Sequence, residues 1–253
     1  MEFELCKEIK KDEAEKLNLK EYQAELKYDG TRCLIVISKG RIIRGESRRG
    51  EEKISKYGFD NFSDDKIDVI LDGEICVLNG FKTNLTDVQK RQNWTKASYV
   101  VFDILFLGGQ DLKNKPLSER RKILEQFFAT YSPRRFKLSP IFEFSELWRV
   151  VEAHELEGVI LKPKNSLYSG GRKYWLKCKF WKEVRLLIEK YEESIGGIVL
   201  LHGKDRIALN GQKAEQVRQI LDRGEAVAIT VQYLEKTNSG LMRMPTCKEI
   251  KKI

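Results

Sequence analysis

The chain has 253 residues, 41% hydrophobic and 34% charged, which suits one large domain or a large and a small one and excludes a disordered chain. Its 47 lysines and arginines against 38 acids give a formal charge of +9, which favours a polyanionic partner such as nucleic acid. Five scattered cysteines (Cys6, Cys33, Cys76, Cys178, Cys247) and two histidines fall into no metal-binding spacing, so neither zinc nor a disulfide framework is expected.

The charged N-terminus has no signal-peptide core, and the most apolar run, residues 98–109, is cut by Asp103 and too short to span a bilayer. An intracellular protein with reduced thiols is expected. Residues 21–27 and 32–38 read as strands, and Asp29-Gly30 between them is a two-residue hairpin signal. Lys27 at that turn is either a solvated surface lysine or one held there to react. Next, Arg48 and Arg49 in "GESRRGEE" have the planar fork that grips phosphate, although the flanking glutamates equally allow surface pairing.

The run "VILDGEICVL" (69–78) reads as a strand with Asp72 and Glu74 on one face. Two carboxylates on an apolar strand need a cation or donors, which points to a metal or ribose-hydroxyl site or to a solvated edge. Ser118 and Ser145 are expected to cap helices over 119–130 and 146–157, the second stopped by Gly158. "EGVILKPK" (157–164) reads as a buried strand with polar ends, Glu157 and Lys162. In "YWLKCKFW" (174–181), Trp175, Lys177 and Lys179 share one face, while Leu176, Cys178 and Phe180 take the other. Lysines at i and i+2 repel, so the strand calls for an anion. From Lys162 to Lys182 inclusive there are seven basic residues and no acid, interleaved with aromatics, which favours a phosphate site.

From about residue 182 the pattern changes to short strands ("GGIVLLHG", "RIALNG", "AVAITVQYLE") around one helix ended by Gly224. That composition is compatible with a small barrel such as an OB-fold. Two domains are therefore expected, 1–181 and 182–253.

Together and in this order, these stretches resemble the nucleotidyltransferase motifs of ATP-dependent DNA ligases. Lys27-Tyr28-Asp29-Gly30-Thr31-Arg32 is similar to the family's KxDGxR nucleophile motif, and Arg48 follows 21 residues later, as in its SR-containing segment. Asp72-Gly73-Glu74, "YVVFDILFL", "EGVILK", "WLKCK" and the RxP segment of "LEKTNSGLMRMP" resemble the motifs that follow. The resemblance implies an α+β fold: an adenylation (nucleotidyltransferase) domain of antiparallel sheets flanked by helices, then a small OB-fold β-barrel. It implies an ATP-dependent ligase that seals nicks in duplex DNA through lysyl-AMP and a DNA-adenylate.

The resemblance also assigns roles. Lys27 is the nucleophile, with Lys177 and Lys179 catalytic beside it. Glu25, Arg32, Glu74, Phe102, Lys162 and Arg243 bind ATP, Phe102 by stacking on adenine and Glu25 near its amino edge. Arg48 and Arg172 hold the DNA phosphate; Glu74 and Glu157 hold Mg²⁺, with Mn²⁺ as a substitute. Lys27 has a reference pKa of about 10.4, and Lys177, Lys179 and the metal are expected to lower it. With 26 residues before Lys27, no separate N-terminal DNA-binding domain is expected, and an NAD-dependent ligase is disfavoured. After Arg243 and Pro245, Lys248 and Lys251 stand where a further Arg is expected. Polar segments 50–66 and 163–174 are expected to be flexible loops that close on DNA. The expected state is a monomer on nicked duplex DNA, off the membrane, with clamp or repair and replication partners unknown. The alternatives are an RNA ligase, an mRNA-capping guanylyltransferase and, from a different class, a catalytically idle nucleic-acid-binding protein.

Overall fold

Period-two alternation builds the strands of the first 179 residues, and the chain divides into two units, Met1–Lys179 and Phe180–Ile253. The structure, a computed structural model, describes every residue except Met1, Lys53, Ser132, Asn238 and Ile253 and the side chain of Lys252. The first unit runs β1 (Glu4–Ile9), α1 (Lys11–Glu15), β2 (Tyr22–Leu26), β3 (Thr31–Ser38), β4 (Arg41–Ser47), β5 (Val69–Cys76), α2 (Leu85–Gln89), β6 (Ser98–Leu107), β7 (Gln110–Asp111), α3 (Leu117–Thr130), β8 (Phe136–Leu138), α4 (Phe144–His154), β9 (Gly158–Pro163) and β10 (Gly171–Lys179). One sheet has the order β1-β10-β9-β2, antiparallel except for the parallel β1–β10 pair. The other has the order β4-β3-β5-β6-β7, with β8 parallel to β6.

The Asp29-Gly30 hairpin does not form. β2 pairs with β9, whereas β3 pairs with β4 and β5, so residues 27–30 cross from one sheet to the other. A type I′ hairpin needs positive φ at both central residues, and neither Asp29 nor Gly30 has it. The crossing is held from outside. The Lys27 N–H donates to the Gly158 carbonyl (2.9 Å), the Asp29 N–H to Thr83 Oγ1 (2.8 Å), and the Leu85 N–H to the Asp29 carboxylate (3.0 Å). Gly30 is needed for room: a Cβ there would stand 2.3 Å from the Ile75 carbonyl oxygen.

Neither serine caps its helix. α3 starts at Leu117, and the amides of Leu117 and Ser118 donate to the carbonyls of Ser166 and Lys164 (2.9 and 2.8 Å). Backbone from a neighbouring loop thus satisfies the helix start that a side chain was expected to satisfy. α4 begins at Phe144 and ends before Glu155, which is left-handed (φ 52°), three residues short of Gly158.

The main core lies between β3, β5, β6 and α3, around Ile35, Leu71, Tyr99, Ile104 and Leu124. Arg120 fixes α3 to β6 through a buried fork on Asp103 (2.8 and 2.7 Å). A smaller cluster of Phe3, Leu34, Phe102, Leu105, Tyr168 and Trp175 joins strands from the two sheets. The segments expected to be loose are anchored: Ile54, Tyr57 and Phe62 are buried, as are Ser166 and Tyr168. The buried Glu4 carboxylate accepts the N–H groups of Ser169 (3.1 Å), Gly170 (3.1 Å) and Tyr174 (3.4 Å).

In the second unit, β11 (Lys182–Ile188), β12 (Lys190–Ser194), β13 (Gly197–His202), β14 (Asp205–Asn210), α5 (Gly211–Leu221), β15 (Val227–Tyr233) and β16 (Thr246–Lys252) share one apolar core. Its strands form two antiparallel sheets, β11-β15-β16 and β12-β13-β14, with no closed ladder among the described residues. β14 lies against β16 and β11 against β13. The chain is thus α+β, built on antiparallel sheets with few helices. No helix among the described residues is long and apolar enough to cross a membrane.

The crossing at Gly30 gives a test. Gly30→Ala forces a methyl group onto the β5 backbone and is expected to destabilise the fold by about 1–3 kcal/mol, read as a lower thermal midpoint.

Candidate functional site

Strand register gathers the charged residues onto one face of the first sheet. Glu8 of β1 stands beside Lys177 of β10, Lys177 beside Ile160 of β9, and Ile160 beside Glu25 of β2. Directly opposed residues point the same way. The row on one side places Cys6 beside Trp175, and Lys162 beside Gln23. The row on the other side places Lys179 beside Gly158, whose carbonyl holds the Lys27 amide. Gly158 itself must be bare: its φ is +144°, and a Cβ would lie 2.2 Å from the Cys178 carbonyl oxygen. Residues of opposite parity, including Leu26, Val159, Leu161 and Cys178, are buried on the other face.

Lys27 Nζ donates to Glu157 Oε1 at 2.6 Å. Lys162, 2% exposed, donates to Glu25 Oε1 at 2.6 Å, and Gln23 Nε2 donates to the same oxygen at 2.9 Å. The Lys162 ammonium also stands 4.3 Å from the ring centroids of Phe102 and Trp175, a cation–π geometry. Lys177 and Lys179 both reach Glu8 Oε2, at 3.3 and 3.1 Å. The acid that their strand calls for therefore comes from β1, a strand that sequence patterning did not identify.

The second sheet contributes Arg32, Asp72, Glu74 and Phe102. Arg32 and Glu74 are directly opposed on β3 and β5. Arg32 makes a fork to Asp72 (3.1 and 2.7 Å) and donates to the Glu4 carbonyl (2.6 Å). Its guanidinium lies 5.2 Å from the rings of Phe3, Phe102 and Trp175. Tyr168 donates to Asp72 Oδ2 at 2.7 Å. Asp72 is thus satisfied by Arg32 and Tyr168. Two of the five Arg32 N–H groups remain for other partners.

These pairs set the titration. Burial alone would lower the Lys27 pKa, but Glu157, followed by Glu74 and Asp29, outweighs it and raises the pKa above its ordinary value. That reverses the expected direction for the chain's own charges. Lys177 and Lys179 were expected to destabilise the Lys27 ammonium, yet they are turned to Glu8, and a carboxylate faces Lys27 instead. Burial pushes the Glu74 carboxyl up to about 8; Lys27 and Arg32 oppose it, while Glu157 and Asp29 add to it.

Lys27, Glu25, Arg32, Glu74, Phe102, Glu157, Lys162, Lys177 and Lys179 are thus brought together within the first unit. Arg48 and Arg172 are exposed there. Arg243 belongs to the second unit, where it pairs with Glu235 at 2.6 Å; Asn238 of the same motif lies outside the described residues. Sequence reasoning missed Gln23, Glu8 and Glu4. Period two from Lys27 and Glu25 back to Gln23 was the available signal for the first.

Residues 3–179 match the family model of the ATP dependent DNA ligase domain. The chain is 30% identical over 187 residues to the multifunctional non-homologous end joining protein LigD of Mycobacterium bovis. That match covers 72% of this chain and 24% of the relative, so the chain spans about a quarter of that protein's length. The SPbeta prophage-derived DNA ligase-like protein LigB of Bacillus subtilis is 26% identical over 260 residues, which cover 92% of this chain and 93% of the relative. The crystal structure of the ligase domain from M. tuberculosis LigD aligns with a TM-score of 0.65 at 21% identity, covering 99% of this chain and 95% of that one, a likeness of fold.

Two outcomes follow from the electrostatics. Lys162→Met leaves the buried Glu25 carboxyl without its cation partner, and is expected to cost about 3–5 kcal/mol in urea unfolding. The folded state keeps a proton on Glu74 between its ordinary pKa and about 8, which the unfolded chain has lost. Stability in metal-free buffer is therefore expected to fall as pH rises through that window, and Glu74→Gln is expected to flatten the slope.

Proposed function

Because this chain belongs to the ATP-dependent DNA ligase family, we propose that it seals 5′-phosphate/3′-hydroxyl nicks in duplex DNA through a covalent lysyl-AMP and a DNA-adenylate. The observation that carries the reading is Lys27 held on the same sheet face as Lys177 and Lys179, its Nζ 2.6 Å from Glu157. In the first step the Lys27 nitrogen forms a bond to the α-phosphorus of ATP, and the bond to pyrophosphate breaks. Nζ must lose a proton first, and Glu157 Oε1 is the base within hydrogen-bond reach. Lys177 and Lys179 neutralise the α-phosphate oxygens, where positioning and charge dominate the barrier.

Phe102 stacks on adenine, and Glu25, its Oε1 already occupied by Lys162 and Gln23, offers Oε2 to the amino edge. Arg32 and Glu74 face ribose and phosphate from the second sheet. AMP then passes to the 5′-phosphate of the nick, which Arg48 and Arg172 hold, and the 3′-hydroxyl displaces it. In this reading the second unit is an OB-fold domain, and its Arg243 orients the leaving pyrophosphate.

The residues present fit a hard divalent cation. No cluster of three or more His, Cys, Asp or Glu forms among the described residues, so the triphosphate would complete the ligand set of Glu74 and Glu157. Burial has pushed Glu74 up to about 8, and a cation beside it would favour its anionic form. Mg²⁺, or Mn²⁺ in its place, would supply charge neutralisation along the phosphates when bound there.

The test is incubation with ATP labelled at the α-phosphate and Mg²⁺, beside Lys27→Ala, in protein first stripped of AMP with pyrophosphate. A label that survives denaturation, needs Lys27 and chases onto nicked DNA supports the reading. No label with ATP, or label only with GTP, overturns it.

A further inference from the structure

Glu8 stands where a phosphate group is wanted. Its Oε2 lies 3.3 Å from Lys177 Nζ and 3.1 Å from Lys179 Nζ, bridging the two ammonium groups. The strand register fixes this placement, since Glu8 is directly opposed to Lys177 across the parallel β1–β10 pair. The two lysines are largely covered, at 23% and 8% side-chain exposure, while Glu8 is 41% exposed. The cations are thus built into the sheet, and the carboxylate reaches them from its solvent-facing edge. Burial raises the Glu8 pKa, but Lys179 and Lys177 more than offset this and bring it below its ordinary value. Glu8 is therefore a carboxylate at neutral pH.

We propose that Glu8 is a built-in stand-in for the nucleotide's phosphates. It holds the Lys177 and Lys179 side chains side by side and gives them up when the triphosphate takes its place. The inference rests on the phosphate role proposed for the two lysines. Its physical basis is that two ammonium groups on one strand face repel unless an anion lies between them. A carboxylate with one negative charge fills that role more weakly than a triphosphate, so the exchange favours the ligand. Glu8 is a positioning residue that also competes, so its removal is expected to tighten nucleotide binding.

The experiment uses the full chain, with Glu8→Gln and Glu8→Asp beside the wild type. In lysyl-AMP formation, Glu8→Gln is expected to lower the KM for ATP about twofold to fivefold, the range of a partly exposed ion pair. The maximal rate is expected to stay level or fall, because the lysines lose their guide. Glu8→Asp keeps the charge with a shorter reach and is expected to fall between the two. A merely structural residue would raise KM or leave it unchanged when removed, and either result in a variant with normal thermal unfolding overturns the proposal. Should Glu8→Gln unfold early, Glu8→Asp decides by the same criterion.

Calorimetric binding of inorganic tripolyphosphate separates the two readings, since it needs no adenylation. Tighter binding to Glu8→Gln supports the stand-in even where the wild type forms no lysyl-AMP, and equal or weaker binding sinks it.

Discussion

Charge matching across a partly buried sheet face is the constraint on which the site depends. Five cations, Lys27, Arg32, Lys162, Lys177 and Lys179, meet four carboxylates, Glu157, Asp72, Glu25 and Glu8, at 2.6–3.3 Å. Each charge removed from water costs several kcal/mol, so the face folds only if its partners arrive from the right strands. They arrive from far along the chain: Glu8 from β1, Glu157 from just before β9, Asp72 from β5 of the other sheet. The register of β1-β10-β9-β2 does this within the first sheet, with bare Gly158 between Lys27 and Lys179 letting the strands close, and the β3–β5 pair brings Asp72 to Arg32 in the second.

The crossing at residues 27–30 has a consequence for chemistry. A hairpin would have left Lys27 at an exposed turn, free to pick any rotamer. Carried between sheets, it is instead anchored at its backbone by Gly158 and at its tip by Glu157. Arg32, five residues later, already belongs to the second sheet and packs against Phe102 and Trp175. One short segment thus delivers side chains to both sheets.

Much of this was legible in the sequence. Alternation placed Trp175, Lys177 and Lys179 on one face and Asp72 with Glu74 on another, because side-chain direction in a strand is local. The ordered motifs named most of the residues that converge. What alternation cannot give is the neighbouring strand. Asp29-Gly30 reads as a turn, yet Thr83, Leu85 and Gly158 decide its path, and all are distant in sequence. Ser118 reads as a cap, yet Ser166 and Lys164 supply the acceptors. Glu8 sits in a charged N-terminal run whose meaning depends wholly on pairing with β10.

The same distance-blind reading explains the reversed direction for Lys27. From the sequence, Lys177 and Lys179 are the charges expected nearby, and they would destabilise its ammonium. In the folded chain Glu157 stabilises the Lys27 ammonium, while Glu8 pairs with Lys177 and Lys179. The Lys27 ammonium is thereby favoured in the folded chain. Under the proposed function its proton leaves through Glu157 Oε1, the base within hydrogen-bond reach, before Nζ attacks. Under the same proposal a triphosphate has the charge to compete with Glu8 for Lys177 and Lys179.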